Sequence, residues 1–355
     1  MRMIRIILFM LFVLVFIAVV MYNNNLLNDS SIKKGSHILP RESMLKGRNI
    51  PDVRKLSDEF NGDLFKWIGK TPQSLLNEIG DPVREDLSAY GYTWWIYKNS
   101  SSNQYIQFGI LDNEILTIFA TGNELEITPL EIGQDYDSIE KEFTFDRSVN
   151  YRQGISTYRL KLTNEDLDKK PLVKVTDDVF MQLYFDTTNN QLTSIRVVHG
   201  DILLQHKPYE MSYRGNIEME QELTKKQWAE VNEGVEQQIF DITNTIRNMY
   251  GKDMLQWEES THEVAFLHSK DMSQNNYFSH HDLEGKGLKD RLWNQNITYS
   301  LAGENIAAEY TDAPAVITGW LNSEGHRETL LSEDYTHLGV GVYRYYYTQN
   351  FITKD

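Results

Sequence analysis

Apolar positions recur every third or fourth residue through Val231, Val235, Ile239, Ile242, Ile246 and Met249. That spacing lines them along one face of an α-helix, and Gly251 just beyond is placed to end it. The same period predicts a second helix over about 259–275, with Val264, Leu267 and Met272 inward. A third is predicted over about 313–322, with Thr311 or Asp312 as cap and Pro314 in its first turn. Further on, "LGVGVYRYYYTQNFI" reads as two strands with the tyrosines of 343–347 on the sheet faces. Helices sandwiching a small sheet are the simplest packing for these pieces.

Upstream, residues 64–206 carry a faint internal repeat. "GKTPQSLLNEIGDP" (69–82) lines up with "GQDYDSIEKEFTFD" (133–146), and "QYIQFGILDNEILTI" (104–118) parallels "MQLYFDTTNNQLTSI" (181–195). Each half reads as a short helix followed by antiparallel strands, with hairpin turns at Asp112-Asn113 and Asn189-Asn190. The prediction is an α+β domain built by duplication. Trp94 and Trp95 are adjacent on a predicted strand, so one faces the core and the other is left for a partner surface. His199 and His206 stand apart from other reactive groups and read as surface or strand histidines. Residues 207–226 read as a hinge before the C-terminal domain, 227–355.

The first 22 residues show no polar face. Arg2 and Arg5 precede an uncharged apolar run from Ile6 to Tyr22, close to the roughly 20 residues that cross a bilayer. Secretory apolar regions run about 7–15 residues and end at a small-x-small site, which Ala18-Val19-Val20-Met21 does not supply. The segment reads as an uncleaved single-pass anchor with the C-terminal domains outside; a cleaved signal and a secreted protein are the alternative. Arg2 and Arg5 favour a cytoplasmic N-terminus, while Lys33 and Lys34 weaken that count. Residues 23–63 are polar, without a sustained period, and read as a linker.

Charge and cysteine count narrow the function. The chain of 355 residues holds 35 Lys plus Arg against 51 Asp plus Glu, a formal net charge of −16. That disfavours nucleic acid, whose binders need cations to displace phosphate counterions. With no cysteine, disulfides, thiolate catalysis and cysteine-held zinc are excluded.

One zinc-protease look-alike also fails. "HEVAF" at His262 needs a second histidine four residues on, and Phe266 stands there. His268 lies six residues on, roughly 240° round the helix, and cannot share a metal with His262.

Four segments occur in order: "DMSQNNYFSHHDLEGKGLKDRL" (271–292), "AGENIA" (302–307), "WLNSEGHRETLL" (320–331) and "YTHLGVGVY" (335–343). Together they resemble the CAP superfamily, in its bacterial SCP-like extracellular branch, over about 235–352. The resemblance implies a three-layer α-β-α sandwich with a central antiparallel sheet and a groove at one end. The 64–205 region is similar to the N-terminal CAP-associated domain of Gram-positive bacterial proteins. In the CAP superfamily two histidines and two acidic residues converge in the groove, and in several members the histidines hold a divalent cation. Residue by residue, the first histidine falls at His280, the first glutamate at Glu304 in a Gly-Glu-Asn turn, and the second histidine at His326. The second acidic position falls at Ser323, a departure that puts a carboxylate acid–base pair in doubt.

The chemistry of the remaining set leaves several readings. Neutral imidazoles suit Zn²⁺ or another divalent cation, and two histidines with one glutamate leave a position for water. Glu304 could instead orient an imidazole or act as a general base. Gly303 and Gly325 are expected to bend the backbone at the site. Alternatively Asn305 bridges loop amides, Arg327 pairs with Glu304 or a buried carboxylate, and the whole set is a structural polar network. His281 is expected to face solvent and His337 to start a strand. The function expected is a groove at the cell envelope that binds a ligand, peptide or divalent metal. The alternatives are a metal-assisted hydrolase using His280, Glu304 and His326, and a scaffold that holds a protein partner through its N-terminal domain.

Overall fold

The computed structural model describes residues 64–354, apart from 100–102, 124, 126, 128–129 and 218–221. The predicted anchor and the linker after it, 1–63, lie outside the described residues. Among the described residues, no helix is long and apolar enough to cross a membrane.

The N-terminal module follows the repeat. Helix α1 (Pro72–Ile79) leads into β1 (Arg84–Leu87), β2 (Thr93–Asn99), β3 (Gln104–Leu111) and β4 (Glu114–Thr121). Helix α2 (Tyr136–Glu142) opens the second half. It continues through β5 (Ser148–Gln153), β6 (Ser156–Lys161), α3 (Asn164–Lys169), β7 (Leu172–Lys174), β8 (Val179–Asp186) and β9 (Gln191–His199). The two halves meet at the centre of one antiparallel sheet, ordered β1-β2-β3-β4-β9-β8-β7. The β3–β4 turn has both central residues left-handed, Asp112 at φ 50° and Asn113 at φ 65°, as a two-residue hairpin of this kind requires. Between β8 and β9 the connection is four residues, and only Asn190 is left-handed.

This sheet is covered on both faces. Trp94 joins Tyr92, Tyr105 and Phe119 in one core. Trp95 packs, half-buried, against the other, which holds Phe65, Leu75 and Ile139. The second tryptophan is therefore spent on packing, not left for a partner.

Two further expectations change here. Helix α4 (Gly200–His206) ends in a buried histidine. His206 Nε2 meets the Tyr92 hydroxyl at 2.9 Å and its Nδ1 faces Arg196 at 3.2 Å. His199 is the strand histidine expected, the last residue of β9; it is buried, and its Nδ1 accepts from the Asp201 amide at the start of α4. Part of the expected hinge is strand β10 (Glu210–Arg214), which pairs with β6 in a separate three-stranded sheet. Its residues are mostly exposed and polar, so no alternating apolar signal marks them.

The C-terminal module begins with α5 (Lys225–Met249), entered through a Thr224–Gln227 capping box and followed by Gly251 at φ 67°. Next come β11 (Gln256–Trp257), α6 (Glu259–Asn275), α7 (Leu288–Asn294), β12 (Leu301–Ala308), α8 (Ala313–Leu321) and α9 (Glu324–Leu331). Strands β13 (His337–Tyr343) and β14 (Tyr346–Thr353) complete it. Of the two cap candidates for α8, Asp312 is the one that accepts the Ala315 amide. The sheet runs β11-β13-β14-β12, antiparallel except for the short β11–β13 pair.

Period two along β13 builds the three layers. Leu338, Val340 and Val342 point into the core shared with Ile239 and Ile242 of α5 and Trp320 of α8. Gly339 and Gly341 face the other way, where a Cβ would strike the α6 backbone at His262 and Phe266. The glycines let a helix lie directly on the strand. On α6 the buried residues are Thr261, Val264, Ala265, His268, Ser269 and Met272, a strict three-and-four stripe. Leu267, expected inward, falls off that stripe and is 43% exposed. Half of the stripe is polar, which hid its position.

The two modules share a core: Trp94, Phe119 and Tyr184 belong to the same buried cluster as Ile242, Trp320 and Val340. Ion pairs stitch its edge. Asp86 on β1 takes Arg84 and Gln238. Asp241 on α5 takes Arg84 and Lys98. Fully buried Asp186 receives Arg327 from α9 at 2.8 Å and the Tyr250 hydroxyl.

Gly341→Ala should therefore destabilise the protein by about 1–3 kcal/mol or more, since helix α6 must lift off the sheet. Gly325→Ala, in open space on α9, should be neutral or stabilising by up to about 1 kcal/mol. Urea denaturation of both variants, compared in midpoint, checks the pair.

Candidate functional site

The Gly-Glu-Asn segment is not a turn. It lies inside edge strand β12, in register with β14: Gly303 opposite Phe351, Glu304 opposite Asn350, Asn305 opposite Gln349. Glycine at 303 supplies clearance, because a Cβ there would meet the Tyr335 hydroxyl and the Thr329 methyl. Gly325 sits inside α9 with no positive φ, so the chain makes no special turn there either.

Strand alternation sends Glu304 and Asn305 to opposite sides of the edge. Glu304 is only 4% exposed at its side chain, yet it is charged. Burial alone pushes its pKa up; the hydrogen bond from His280 and the charge of Arg291 outweigh that, and the carboxyl sits below its ordinary value. Oε1 accepts from His280 Nδ1 at 2.9 Å, and Oε2 pairs with Arg291 of α7. With its amide oriented to satisfy both atoms, Asn350 adds a bond to Oε2 at 3.0 Å and accepts from the Ala265 amide. Arg291 also donates to the His280 carbonyl at 3.0 Å, fixing the loop that carries the imidazole.

His280 itself is half-exposed, 50% at the side chain. A carboxylate on Nδ1 makes that nitrogen the donor, so Nε2 is an acceptor when the ring is neutral and a second donor when it is protonated. His326, near the start of α9, is connected from the other side of β12. Asn305 Nδ2 donates to the His326 carbonyl at 3.1 Å, and His326 Nδ1 meets Ser323 Oγ at 2.8 Å. Burial lowers the His326 pKa, and the charge of nearby His280 lowers it further, so the ring is neutral around pH 7.

Two residues of the site carry no sequence-level assignment. Arg291 stands inside the quoted "GLKDRL", and a buried carboxylate far along the chain is what gives it a role. His268 is buried on α6, and its Nε2 faces the Ser279 carbonyl at 3.0 Å, holding the loop one residue before His280. Arg327 takes the second of its two expected partners: a buried carboxylate, Asp186, in the other module. His281 is exposed. His337 opens β13, with Thr336, Lys354 and Glu258 as its polar neighbours.

The metal reading meets an obstacle in Glu304, whose oxygens are taken by an imidazole, a guanidinium and an amide. Among the described residues, no group of three or more His, Asp or Glu side chains is arranged to hold a metal ion. Both imidazoles make their side-chain hydrogen bonds through Nδ1, His280 to Glu304 and His326 to Ser323. Phe278, Leu283 and Trp293 are exposed apolar side chains of the segment that runs from α6 through α7.

Comparison with known proteins agrees with this architecture. Residues 68–209 match the family model for the CAP-associated N-terminal domain, and residues 240–354 match that of the cysteine-rich secretory protein family, CAP. Membrane protein YlbC of Bacillus subtilis (strain 168) is 43% identical over 291 residues, 82% of this chain and 84% of that protein. The chain belongs to the CAP family. A solved extracellular SCP-domain protein from Bacillus anthracis str. Ames is 40% identical with a TM-score of 0.78, over 82% of this chain and 95% of that one. A cysteine-rich secretory protein from Staphylococcus aureus subsp. aureus Mu50 shares the fold at 24% identity and a TM-score of 0.75, covering 83% and 94%. This CAP chain contains no cysteine, and buried ion pairs link its modules instead.

Arg291→Met should leave Glu304 buried without a cation, cost about 3–5 kcal/mol of stability and raise the Glu304 pKa; denaturation and a carboxyl NMR titration read both. His280→Ala should move the His326 titration upward, because one of the two causes of its depression is gone. An unmoved His326 resonance would separate the two rings. His206, His268 and His326 all titrate below the unfolded value of about 6.5, so the unfolded chain takes up their protons first. Their contribution to stability is present above that pH and is lost as the pH falls through the folded values, and His206→Gln should flatten that loss.

Proposed function

We propose that this protein is a membrane-anchored, extracytoplasmic CAP protein of a Gram-positive bacterium. In this reading its His280–Glu304–His326 groove binds an envelope component or peptide. The names of its relatives, one a membrane protein and one an extracellular protein, support the location, together with the apolar run 6–22.

One observation carries the binding reading. A half-exposed imidazole is locked by a buried carboxylate that is itself neutralised by a guanidinium. Such a group costs little ordering entropy when a ligand arrives, because its tautomer and direction are already set. His280 Nε2 then accepts from a ligand N–H or O–H when the ring is neutral, or donates to a ligand oxygen when it is protonated, and neutral His326 offers a second polar contact.

The hydrolytic alternative gains less from this geometry. A general base needs a carboxylate ready to accept a proton near pH 7, and Arg291 and His280 hold Glu304 below its ordinary value. A metal would rest on the two imidazoles, with oxygens supplied by water or the ligand itself.

The test is to screen the full-length protein in detergent against a peptide library and a cell-wall digest, reading thermal shifts. His280→Ala and His326→Ala should each weaken the best hit by about tenfold or more while leaving the ligand-free melting point unchanged. Equal shifts in wild type and both variants would end the groove reading.

A further inference from the structure

The three-stranded sheet of the N-terminal module turns one face to solvent. Strand alternation divides it: Val149, Tyr151, Tyr158 and Leu160 of β5 and β6 point into the shared core, and the residues between them are exposed. The outward residues of β5, β6 and β10 carry four cations, Arg152, Arg159, Lys161 and Arg214, against one carboxylate, Glu210.

Register gathers these charges. Arg152 and Arg214 lie on either side of Thr157, Arg159 stands between Asn150 and Ser212, and Lys161 faces Glu210. With strands about 4.8 Å apart, Arg152 and Arg214 are roughly 10 Å apart at Cα, and Arg159 is roughly 7 Å further along β6. Arg152 donates to the Gly154 carbonyl and Arg159 to the Ser148 hydroxyl. Among the described residues, none of the four cations is within ion-pair distance of a carboxylate. The whole chain carries −16, so an unpaired cationic face runs against its average. An opposing anionic surface relieves the repulsion within it.

The β5–β6 turn caps the same hairpin, one pair beyond Arg152 and Thr157. Gly154 is left-handed at φ 58°, and Ile155 after it is 95% exposed. Glycine suits the first place of such a two-residue turn, and the second is ordinarily small and polar. Here it is a large apolar group held out in water beside the cations.

We infer that this face docks on the surface of an anionic phospholipid bilayer. The cations meet headgroup phosphates, and Ile155 enters the boundary between headgroups and acyl chains. A soluble polyanion would use the cations and leave the isoleucine in water. Residues 6–22, anchored as proposed above, keep the module beside such a surface. The cations and the turn favour it with or without that anchor.

The test places an environment-sensitive dye on Ile155→Cys in the full-length chain, which has no other cysteine, and reconstitutes it with vesicles. Phosphatidylcholine containing about one-third phosphatidylglycerol should move the dye emission to the blue, and pure phosphatidylcholine should not. Raising the salt from about 0.1 M to 1 M shortens the screening length from about 10 Å to 3 Å and should abolish the shift. Arg152→Gln and Arg159→Gln should each lower the docked-to-free ratio about fivefold. Lys289→Gln, the same loss of charge at an exposed position of the other module, should leave it unchanged. Flotation with the neutral vesicles reads the anchor separately: a chain that fails to float there yet shifts with the anionic ones loses the anchor and keeps the docking face. No shift with anionic vesicles, an equal shift with neutral ones, or indifference to salt and to both arginine changes would each overturn the docking. A blue shift produced by soluble polyphosphate with neutral vesicles would assign the face to a free polyanion and overturn it equally.

Discussion

A carboxylate cannot be buried as an ion without a partner, and Glu304 is buried. From that constraint the arrangement around His280 follows. Arg291 must come in from α7 to neutralise it, and in doing so it also ties down the His280 carbonyl. His280 must supply a donor to the other oxygen, so its ring direction is fixed. The loop between α6 and α7, which would otherwise be free to wander, is thereby pinned at three points: His268 at Ser279, Arg291 at the main chain of 280, and Glu304 at the ring.

The second organising fact is that the modules are not beads on a string. Their cores are continuous, and the charges along their edge are paired across the boundary. Breaking one such pair leaves a lone buried ion, which costs about 3–5 kcal/mol, more than the pair itself contributes over an apolar substitute. The seam is therefore a device of specificity: it tolerates one arrangement of the modules and penalises neighbours of it.

Some of this was legible in the residues alone. The 25-residue helix α5 announced itself because its apolar stripe keeps helical period throughout, with its terminal glycine in place. The hairpins could be read because left-handed backbone favours Asp and Asn, at Asp112 and Asn113 in the first half and Asn190 in the second. Legibility ended where polar residues do structural work. Strand β10 is polar and mostly exposed, so it looked like a hinge. Helix α6 turns Thr261, His268 and Ser269 to the sheet, so Leu267 was wrongly assigned inward. Gly303 and Asn305 resembled a turn because turns favour those residues, whereas here one makes room and the other reaches across to α9. The partner of Glu304 could not be read from spacing, since an ion pair between α7 and β12 exists only once the chain has folded.

Arg327 follows His326 directly in sequence, and it is clasped by Asp186 of the repeat module. The short helix that carries the imidazole is thus gripped at its first turn by a neighbour built from a different stretch of the chain. Any rocking of one half of the molecule against the other must drag that ring with it. What looks like a pedestal is mechanically a handle on His326.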